Sequence, residues 1–276
     1  MQLFTPVALP PAPFRLTPAS RVLTLGSCFA QHIGQHIAAA LPDGHALVNP
    51  FGPLYAPQVI AHHLRLLLDT APLPDATYFE GVEGMWHNRW FSTHVSSVEL
   101  ATCRRLTTDA LSAARDLLRR ADVLVLTLGT DRCYRLPDGR LVANCHKQPA
   151  AAFTEHAADV ETLTSDLRRA LDGLRARRPE LQVVWTVSPY RSAKYGLHAS
   201  QLAKARLLLA VDALCATDER SVYFPAYELL LDELRDYRYY ARDLLHPSDT
   251  AVELIGERFA DWCFAPALRT FARERA

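Results

Sequence analysis

The chain has 276 residues, of which 49% are hydrophobic and 22% are charged, and this composition is typical of a folded globular protein. Its 30 Lys and Arg residues balance its 30 Asp and Glu residues, so the formal net charge is zero when the histidines are neutral. General nucleic-acid binders and membrane-surface binders need a basic excess, and we therefore expect neither nucleic acid nor membrane as a partner.

The cysteine pattern and the N-terminal sequence favour a cytoplasmic location. None of the six cysteines has the C-x-x-C spacing of a zinc ribbon or a thioredoxin-type motif. A chain of this length does not need disulfides, so reduced cysteines and a cytoplasmic location are expected. Residues 1–18 lack the basic and apolar regions of a signal peptide. We expect one domain over residues 1–276, with residues 1–20 forming a proline-rich arm that lies on it.

Short apolar segments alternate with segments of helical periodicity along the chain. This alternation predicts a three-layer α/β/α domain with a mostly parallel central sheet of about five strands, flavodoxin-like in order. No repeat or domain boundary interrupts the pattern. Strands are predicted at 21–25, 45–48, 122–128, 181–187 and 222–224, and helices at 31–41, 58–69, 100–121, 155–178, 200–217 and 247–263.

Two segments interrupt this alternation. Residues 70–98 lack clean periodicity and are rich in Gly, His, Trp and Phe, which is typical of a functional loop. Residues 131–144 predict an inserted hairpin, because Pro137-Asp138-Gly139 is a turn sequence.

Two nucleophilic side chains, Ser27 and Cys28, follow the first predicted strand. Gly26 permits a tight turn, and the helix that starts after it offers unpaired backbone N–H groups. These donors and the helix dipole favour an oxyanion and lower the pKa of a thiol. The alternative is a helix-capping serine beside a small buried cysteine.

Other polar residues also follow predicted strands. Asn49 and Gly52 follow the second strand, Gly129 and Thr130 follow the third, and Ser188 follows the fourth. The carboxyl ends of parallel strands meet at one edge of a sheet, where α/β proteins place their sites. We therefore assign substrate-binding or oxyanion roles to Asn49, Gly52, Gly129 and Thr130.

Asp243 and His246 lie three residues apart, directly before Pro247 and the last predicted helix. A nucleophile needs a base, and the base needs a group that orients it. His246 would take the proton while Asp243 fixes its tautomer, and we expect His246 within about 3–3.5 Å of Ser27 or Cys28. The alternative is a surface loop in which Ser248 or Asp249 only caps the helix.

The remaining histidines do not have metal-ligand spacing, so no metal is expected. His94 and His146 lie in irregular segments and are predicted to line the pocket or bind substrate, the alternative being surface histidines. Arg191 and Lys194 could bind an anionic group of the substrate, and the alternative is that both are solvated surface cations. No glycine-rich phosphate loop is present in the sequence, so no nucleotide cofactor is expected.

The order of these motifs resembles that of the SGNH/GDSL hydrolase superfamily, and the sequence Gly26-Ser27-Cys28-Phe29-Ala30 is the name motif of the GSCFA family. The resemblance runs from about residue 10 to about residue 264. It is carried also by Asn49-Pro50-Phe51-Gly52, Leu128-Gly129-Thr130, Val142 to Lys147, Thr186-Val187-Ser188-Pro189, Asp232 to Arg238 and Asp243 to Ser248.

The resemblance implies an acyl-ester hydrolase or acyltransferase that forms an acyl-enzyme on a small-molecule or carbohydrate ester. A gapless match to Gly-Asp-Ser makes Cys28 the nucleophile, whereas a one-residue slip restores Ser27. His246 and Asp243 would complete the triad, and the Gly52 N–H would serve the oxyanion.

The third block of the superfamily supplies an asparagine to the oxyanion hole. Here the matching position is Asp131, which does not donate a hydrogen bond when ionised. The resemblance therefore leaves Thr130 or Asn144 to supply the missing donor. It also leaves open a carbohydrate- or ligand-binding protein that has the fold without turnover.

Overall fold

The structure is a computed structural model that describes residues 5–275. Strands and helices alternate as the hydrophobic pattern predicts. Within these residues the strands are β1 (Val22–Gly26), β2 (Ala46–Val48), β3 (Tyr78–Glu80), β4 (Trp86–Asn88), β5 (Val123–Leu128), β6 (Arg132–Arg135), β7 (Leu141–Val142), β8 (Thr154–Ala157), β9 (Gln182–Val187) and β10 (Ser221–Tyr223). The helices are α1 (Cys28–Ala40), α2 (Pro57–Leu68), α3 (Leu100–Leu118), α4 (Val160–Arg177), α5 (Leu197–Cys215), α6 (Ala226–Glu228), α7 (Asp249–Cys263) and α8 (Pro266–Arg275).

The central sheet has five strands in the order β10-β9-β5-β1-β2, and every neighbouring pair is parallel. Numbered among themselves, these strands have the 2-1-3-4-5 order of flavodoxin-like folds. The predicted α/β fold and strand number are confirmed. In such sheets the switch point lies between the first and third strands, here β1 and β5, and ligands bind outside their carboxyl ends.

Helices cover both faces of the sheet because strand side chains alternate between faces. Val123 and Val125 point into a core shared with Ile33 of α1 and Phe259 of α7. Leu124 and Leu126 point into the opposite core. That second core is completed by leucines of four helices: Leu64 of α2, Leu111 of α3, Leu167 of α4 and Leu207 of α5.

The predicted helix over 155–178 is wrong in its first residues. Thr154–Ala157 instead forms β8, which pairs with β6 in a three-stranded antiparallel sheet ordered β7-β6-β8. Helix α4 starts at Val160, where the Asp159 carboxylate accepts a hydrogen bond from the Thr162 N–H at 2.7 Å. Pairing with a distant strand overrides the local helical pattern up to this cap.

Segment 70–98 contains a short antiparallel hairpin, β3 with β4, and packs over the turn that follows β2. The Ser92 N–H donates to the Phe51 carbonyl at 2.9 Å, and the rings of Phe51 and Phe91 are fully buried. The predicted hairpin over 131–144 is present as β6 and β7.

The described part of the proline-rich arm lies along α7. The Trp262 indole donates to the Pro10 carbonyl at 2.7 Å, and the Leu16 N–H donates to the Cys263 carbonyl at 2.8 Å. Residues 1–4 of the predicted arm lie outside the described residues. Among helices of the described chain, none is both long and apolar enough to span a membrane.

Candidate active site

A cavity of about 280 Å³ opens at the carboxyl edge of the central sheet. Cys28, Gly129 and Ser188, which follow β1, β5 and β9, form one wall. Ala56 and Val59 contribute apolar surface at the start of α2. The structure therefore brings the predicted residues that follow β1, β5 and β9 into one concave site of mixed polarity, whereas Asn49 and Gly52, which follow β2, do not line it.

The turn between β1 and α1 is fixed by backbone geometry. Gly26 has φ +143°, and a Cβ at this position would lie 2.3 Å from the Thr127 carbonyl oxygen. Ser27 is the N-cap of α1, and its Oγ accepts a hydrogen bond from the Phe29 N–H at 3.3 Å. Ser27 is only 1% exposed, whereas Cys28 is partly exposed, and both residues reach the cavity wall.

Burial raises the pKa of the Cys28 thiol above its ordinary value. The backbone N–H groups of Phe29 and Cys28 and the charge of Lys204 act in the opposite direction. The donors at the helix N-terminus lower the pKa of this thiol as expected, but desolvation outweighs them, so the net shift is upward.

Asp243 and His246 form a hydrogen-bonded pair. Nδ1 of His246 lies 2.5 Å from Oδ2 of Asp243, whose Oδ1 accepts from the backbone N–H groups of Leu245 at 2.9 Å and His246 at 3.0 Å. The hydrogen bonds from His246 and Leu245 lower the pKa of Asp243 to about 2. The carboxylate is thus ionised near neutral pH and orients the imidazole.

The expected hydrogen bond from His246 to a nucleophile is not made. In the described residues His246 bonds to neither Ser27 nor Cys28, and its imidazole packs on the ring of Tyr190 with 4.4 Å between centroids. Tyr190 lines the cavity together with Cys28, and His246 does not. His246 therefore packs on Tyr190 without lining the cavity, and about half of its side chain is exposed.

Several predicted oxyanion donors are used by the fold. The Gly52 N–H donates to the Asn49 carbonyl at 2.8 Å, and the N–H groups of Gly129 and Thr130 both donate to the Tyr55 carbonyl. The Asn49 side chain donates to the carbonyls of Gly26 and Ser27. Asn49 thus fixes the turn that carries Ser27 and Cys28 and does not contact the cavity.

Two other donors remain at the cavity wall. The Cys28 N–H is in the first turn of α1, where no intrahelical acceptor exists. Asn144 lines the cavity, and its Oδ1 accepts from the His146 N–H at 2.8 Å, which leaves its amide NH₂ without a partner among the described residues. Asp131, at the position of the superfamily's asparagine, is buried and paired with Arg206 at 2.6 Å.

The two histidines predicted to line the pocket do not do so. His94 is exposed on the loop beside Gly52. His146 is 2% exposed, and its Nε2 lies 2.8 Å from the Phe91 carbonyl oxygen. Burial lowers the pKa of His146 to about 4, which makes it a neutral structural histidine under the 70–98 segment.

The mouth of the cavity is charged and aromatic. Lys194 donates to Glu155 at 2.9 Å and to the Tyr134 hydroxyl at 2.8 Å, and the Tyr195 hydroxyl also donates to Glu155. The Arg132 guanidinium lies over the Tyr195 ring at 4.1 Å. Lys194 therefore has a carboxylate partner within the chain, and Arg191, which donates to the Leu244 carbonyl, does not line the cavity.

Lys204 is the residue at this site that the sequence analysis missed. It is 2% exposed, and its ammonium donates to the Gly129 carbonyl at 2.7 Å. Burial lowers its pKa to about 7. The burial of Lys204 could have been predicted from its position in the sequence, because it lies on the buried face of α5 with Ser200, Leu207, Val211 and Leu214.

The fold and site define a flavodoxin-like α/β protein with a Gly-Ser-Cys turn at the carboxyl edge of its parallel sheet and a C-terminal Asp–His pair that packs on a cavity-lining tyrosine. Within the described residues, no three His, Cys, Asp or Glu side chains form a group suited to a metal ion. The chain belongs to the GSCFA family, whose sequence profile matches residues 21–259. No curated protein sequence matches the chain.

Among solved structures, the chain is similar to an acetyl esterase variant crystallised with acetate, at 9% identity and TM-score 0.42, covering 93% of this chain and 100% of that one. It is similar to a carbohydrate esterase family 3 protein from Talaromyces cellulolyticus, at 11% identity and TM-score 0.40, covering 92% and 99%. An acetyl xylan esterase from the rumen bacterium Butyrivibrio proteoclasticus is 13% identical with TM-score 0.42, covering 88% of this chain and 63% of that one.

Proposed function

We propose that the chain is an acyl-ester hydrolase or acyltransferase that uses Cys28 as its nucleophile. One observation carries this proposal: Cys28 lies at the N-terminus of α1 on the wall of a cavity that also contains Tyr190, on which the Asp243–His246 pair is stacked. Nucleophile, base and orienting carboxylate are the three groups that acyl transfer requires.

Cys28 is favoured over Ser27 by exposure and by hydrogen bonding. Ser27 is almost fully buried, and its Oγ is the acceptor that caps α1. Cys28 is partly exposed to the cavity, and its own backbone N–H is free in the first turn of the helix. In this proposal Ser27 holds the turn and Cys28 reacts.

The proposed reaction has two steps, acylation of Cys28 and deacylation. Nε2 of His246 takes the thiol proton, and Sγ of Cys28 forms a bond to the ester carbonyl carbon. The carbon–oxygen bond of the ester then breaks as His246 gives this proton to the leaving alcohol. The product is a thioester on Cys28. Water, or an acceptor alcohol in acyl transfer, then attacks this thioester while His246 takes the proton of the attacking hydroxyl, and the carbon–sulfur bond breaks as His246 gives this proton to the leaving thiolate. The Cys28 N–H and the Asn144 amide are the proposed donors to the oxyanion.

The environment of the cavity supports a small uncharged acyl group bound to a polar alcohol. Val59, Ala56 and Ala143 give the inner wall an apolar surface that matches an acyl chain. The tyrosines and charged residues at the mouth match the hydroxyl-rich part of a small-molecule or carbohydrate ester.

Turnover of an aryl acetate tests the proposal. Wild-type chain should release the phenol, and Cys28→Ala and His246→Ala should each lower kcat by about 10²-fold or more. Ser27→Ala should keep turnover while losing about 1 kcal/mol of stability with its cap. Cys215→Ala, at the far end of α5, is the matched cysteine control. Equal turnover in wild type and Cys28→Ala would overturn the assignment.

The second candidate is a ligand-binding protein without turnover. It is favoured by the missing hydrogen bond between His246 and either nucleophile and by the aspartate at the oxyanion position. The two candidates separate in the same assay, because the binding protein would retain the ester without releasing phenol. Equilibrium binding of the intact ester to Cys28→Ala measures that retention directly.

A further inference from the structure

Side chains from two separate parts of the chain meet at the mouth of the cavity. Lys194 and Tyr195 belong to the segment between β9 and α5, whereas Glu155 belongs to β8. The Lys194 ammonium donates to a Glu155 carboxylate oxygen at 2.9 Å, and the Tyr195 hydroxyl donates to the same oxygen. The guanidinium of Arg132, on the neighbouring strand β6, lies over the Tyr195 ring at 4.1 Å. Glu155 is therefore the acceptor that joins this segment to the antiparallel sheet.

The bridge to Glu155 lies on the solvent side of the cavity. The Lys194 side chain is 55% exposed and Tyr195 is 41% exposed, and both line the cavity. Ser27 and Ser188, which line it at the strand ends, are each only 1% exposed. The bridge therefore narrows the path from solvent to the wall that carries Cys28.

The segment between β9 and α5 is held at the mouth by its side chains. Among the described residues, the backbone of residues 193–195 takes part in one hydrogen bond, from the Gly196 N–H to the Ala193 carbonyl at 3.0 Å, which closes a turn within the segment. At Gly196 φ is +84°, and nothing lies within 4 Å of a Cβ built there. The contacts of Lys194 and Tyr195 therefore hold this turn against the sheet.

Such a bridge can open at little cost. Exposed ion pairs contribute little to stability, because water and salt screen them. The cavity behind the bridge has about 280 Å³, at the lower limit of the roughly 300–1,000 Å³ that is usual for ligand sites. An ester with a bulky alcohol therefore needs a wider mouth than the closed bridge leaves, and loops of this kind commonly control entry to active sites.

We propose that Glu155 is a specificity-determining residue, whose carboxylate latches the segment carrying Lys194 and Tyr195 across the mouth and so limits the size of the molecules that reach Cys28. The inference deepens the proposed function, and its statement about esters rests on that function. Esters of small alcohols pass the closed latch, whereas esters of bulky alcohols react only while it is open.

The test compares two uncharged thiol reagents of different size, N-ethylmaleimide and N-(1-pyrenyl)maleimide, by following modification of the Cys28 peptide with mass spectrometry. Glu155→Ala removes the acceptor of the latch. It should raise the rate of the bulky reagent at Cys28 about five- to tenfold and that of the small reagent less than about twofold, because access of the bulky reagent scales with the open fraction. Lys194→Met removes one donor from the opposite side and should give a change of about threefold in the same direction.

Two further features of the chain serve as references. Glu180→Ala breaks an exposed ion pair to Arg220 that does not line the cavity, and it is the matched control, with neither rate changed. Cys145 is a second partly exposed thiol on the cavity wall, and its modification should follow that of Cys28.

Equal acceleration of both reagents in Glu155→Ala would overturn the proposal, because it would indicate a changed thiol reactivity and not a wider mouth. No gain for the bulky reagent at Cys28 or Cys145 in either latch variant would overturn it as well. These rates do not depend on turnover, so failure of the latch is distinguishable from failure of the proposed esterase activity. Where esters are turned over, Glu155→Ala should raise kcat/KM for 1-naphthyl acetate relative to ethyl acetate, and an unchanged ratio would contradict the proposal.

Discussion

The imidazole of His246 packs against the phenol ring of Tyr190, with 4.4 Å between the ring centroids and 39° between the planes. Tyr190 is the one of these two residues that lines the cavity with Cys28. The tyrosine therefore provides the surface on which His246 packs, and it also lines the cavity that contains the proposed nucleophile.

Removing this surface should lower activity more than removing its hydroxyl. Tyr190→Ala should reduce kcat/KM about tenfold, because aromatic pairs contribute about 0.5–1.5 kcal/mol and the imidazole loses its packing face. Tyr190→Phe keeps the ring and should stay within about twofold of wild type on this argument. Steady-state kinetics on an aryl acetate measure both, and equal losses in the two variants would assign the role to the hydroxyl instead.

Asp243→Asn should separate the effect of the carboxylate charge from the effect of the turn geometry. Its side-chain oxygen still accepts the N–H groups of Leu245 and His246, so the turn is retained, but the imidazolium loses its negative partner. We expect kcat to fall about 10²- to 10⁴-fold with KM nearly unchanged. A wild-type kcat in Asp243→Asn would show that the pair has no role in catalysis.

The acidic limb of the wild-type pH profile should not come from titration of Asp243. The pKa of Asp243 is depressed to about 2, so the stability it contributes is fully present above the ordinary carboxyl pKa and is lost progressively as pH falls from that value through about 2. Loss of kcat/KM between pH 4 and 7 should therefore come from protonation of another group. The measurement is kcat/KM across this range together with the circular dichroism of the fold, which should not change.

Gly26→Ala should destabilise the chain by more than the general cost of a substituted glycine. Its Cβ would meet the Thr127 carbonyl oxygen at 2.3 Å, so strand β1 or β5 must move. We expect a loss of about 2–4 kcal/mol, measured by urea unfolding. Gly44→Ala is the matched control: its φ is +76° but nothing lies within 4 Å of the new methyl, so about 1 kcal/mol is expected. Equal losses would contradict the close approach at Gly26.

Lys204→Met should stabilise the folded chain at neutral pH. The folded pKa of Lys204 is about 7, below the ordinary lysine value, so the unfolded chain binds more protons between these two values. Its burial therefore destabilises the fold fully below pH 7, and this penalty disappears as pH rises toward about 10. We expect Lys204→Met to raise the free energy of unfolding by about 1–4 kcal/mol at pH 7 and by less at pH 9.5. A variant less stable than wild type at pH 7 would contradict this account.

Much of the fold follows from local patterns in the sequence. The buried strand Val123–Leu128 is a continuous apolar run, and the sheet order follows from alternating strands and helices. Where the prediction erred, a tertiary contact decided the structure: Thr154–Ala157 is a strand because β6 lies beside it. Local periodicity carries no information about such a distant partner.

The sequence predicted the residues at the strand ends that form the candidate site, but it did not predict which hydrogen-bond donors are free there. Cys28, Gly129 and Thr130 line one cavity because the central sheet aligns the carboxyl ends of its strands, and Asn144 reaches the same cavity from the segment after β7. The sequence does not show which backbone N–H groups the fold uses, and the Tyr55 carbonyl accepts those of Gly129 and Thr130. Lys204 belongs to no recognisable motif, and an isolated lysine in a helix is usually solvated, so its role in the site was not predicted.

The central claim, that Cys28 forms an acyl-enzyme, is tested most directly by mapping the adduct. The wild-type chain is mixed with an aryl acetate, quenched in acid, digested and analysed by mass spectrometry. The account predicts one added acetyl group, carried by Cys28 as a thioester and released by hydroxylamine at neutral pH. An acetyl group on Ser27, or turnover with no adduct on Cys28 at any quench time and unchanged in Cys28→Ala, would contradict it.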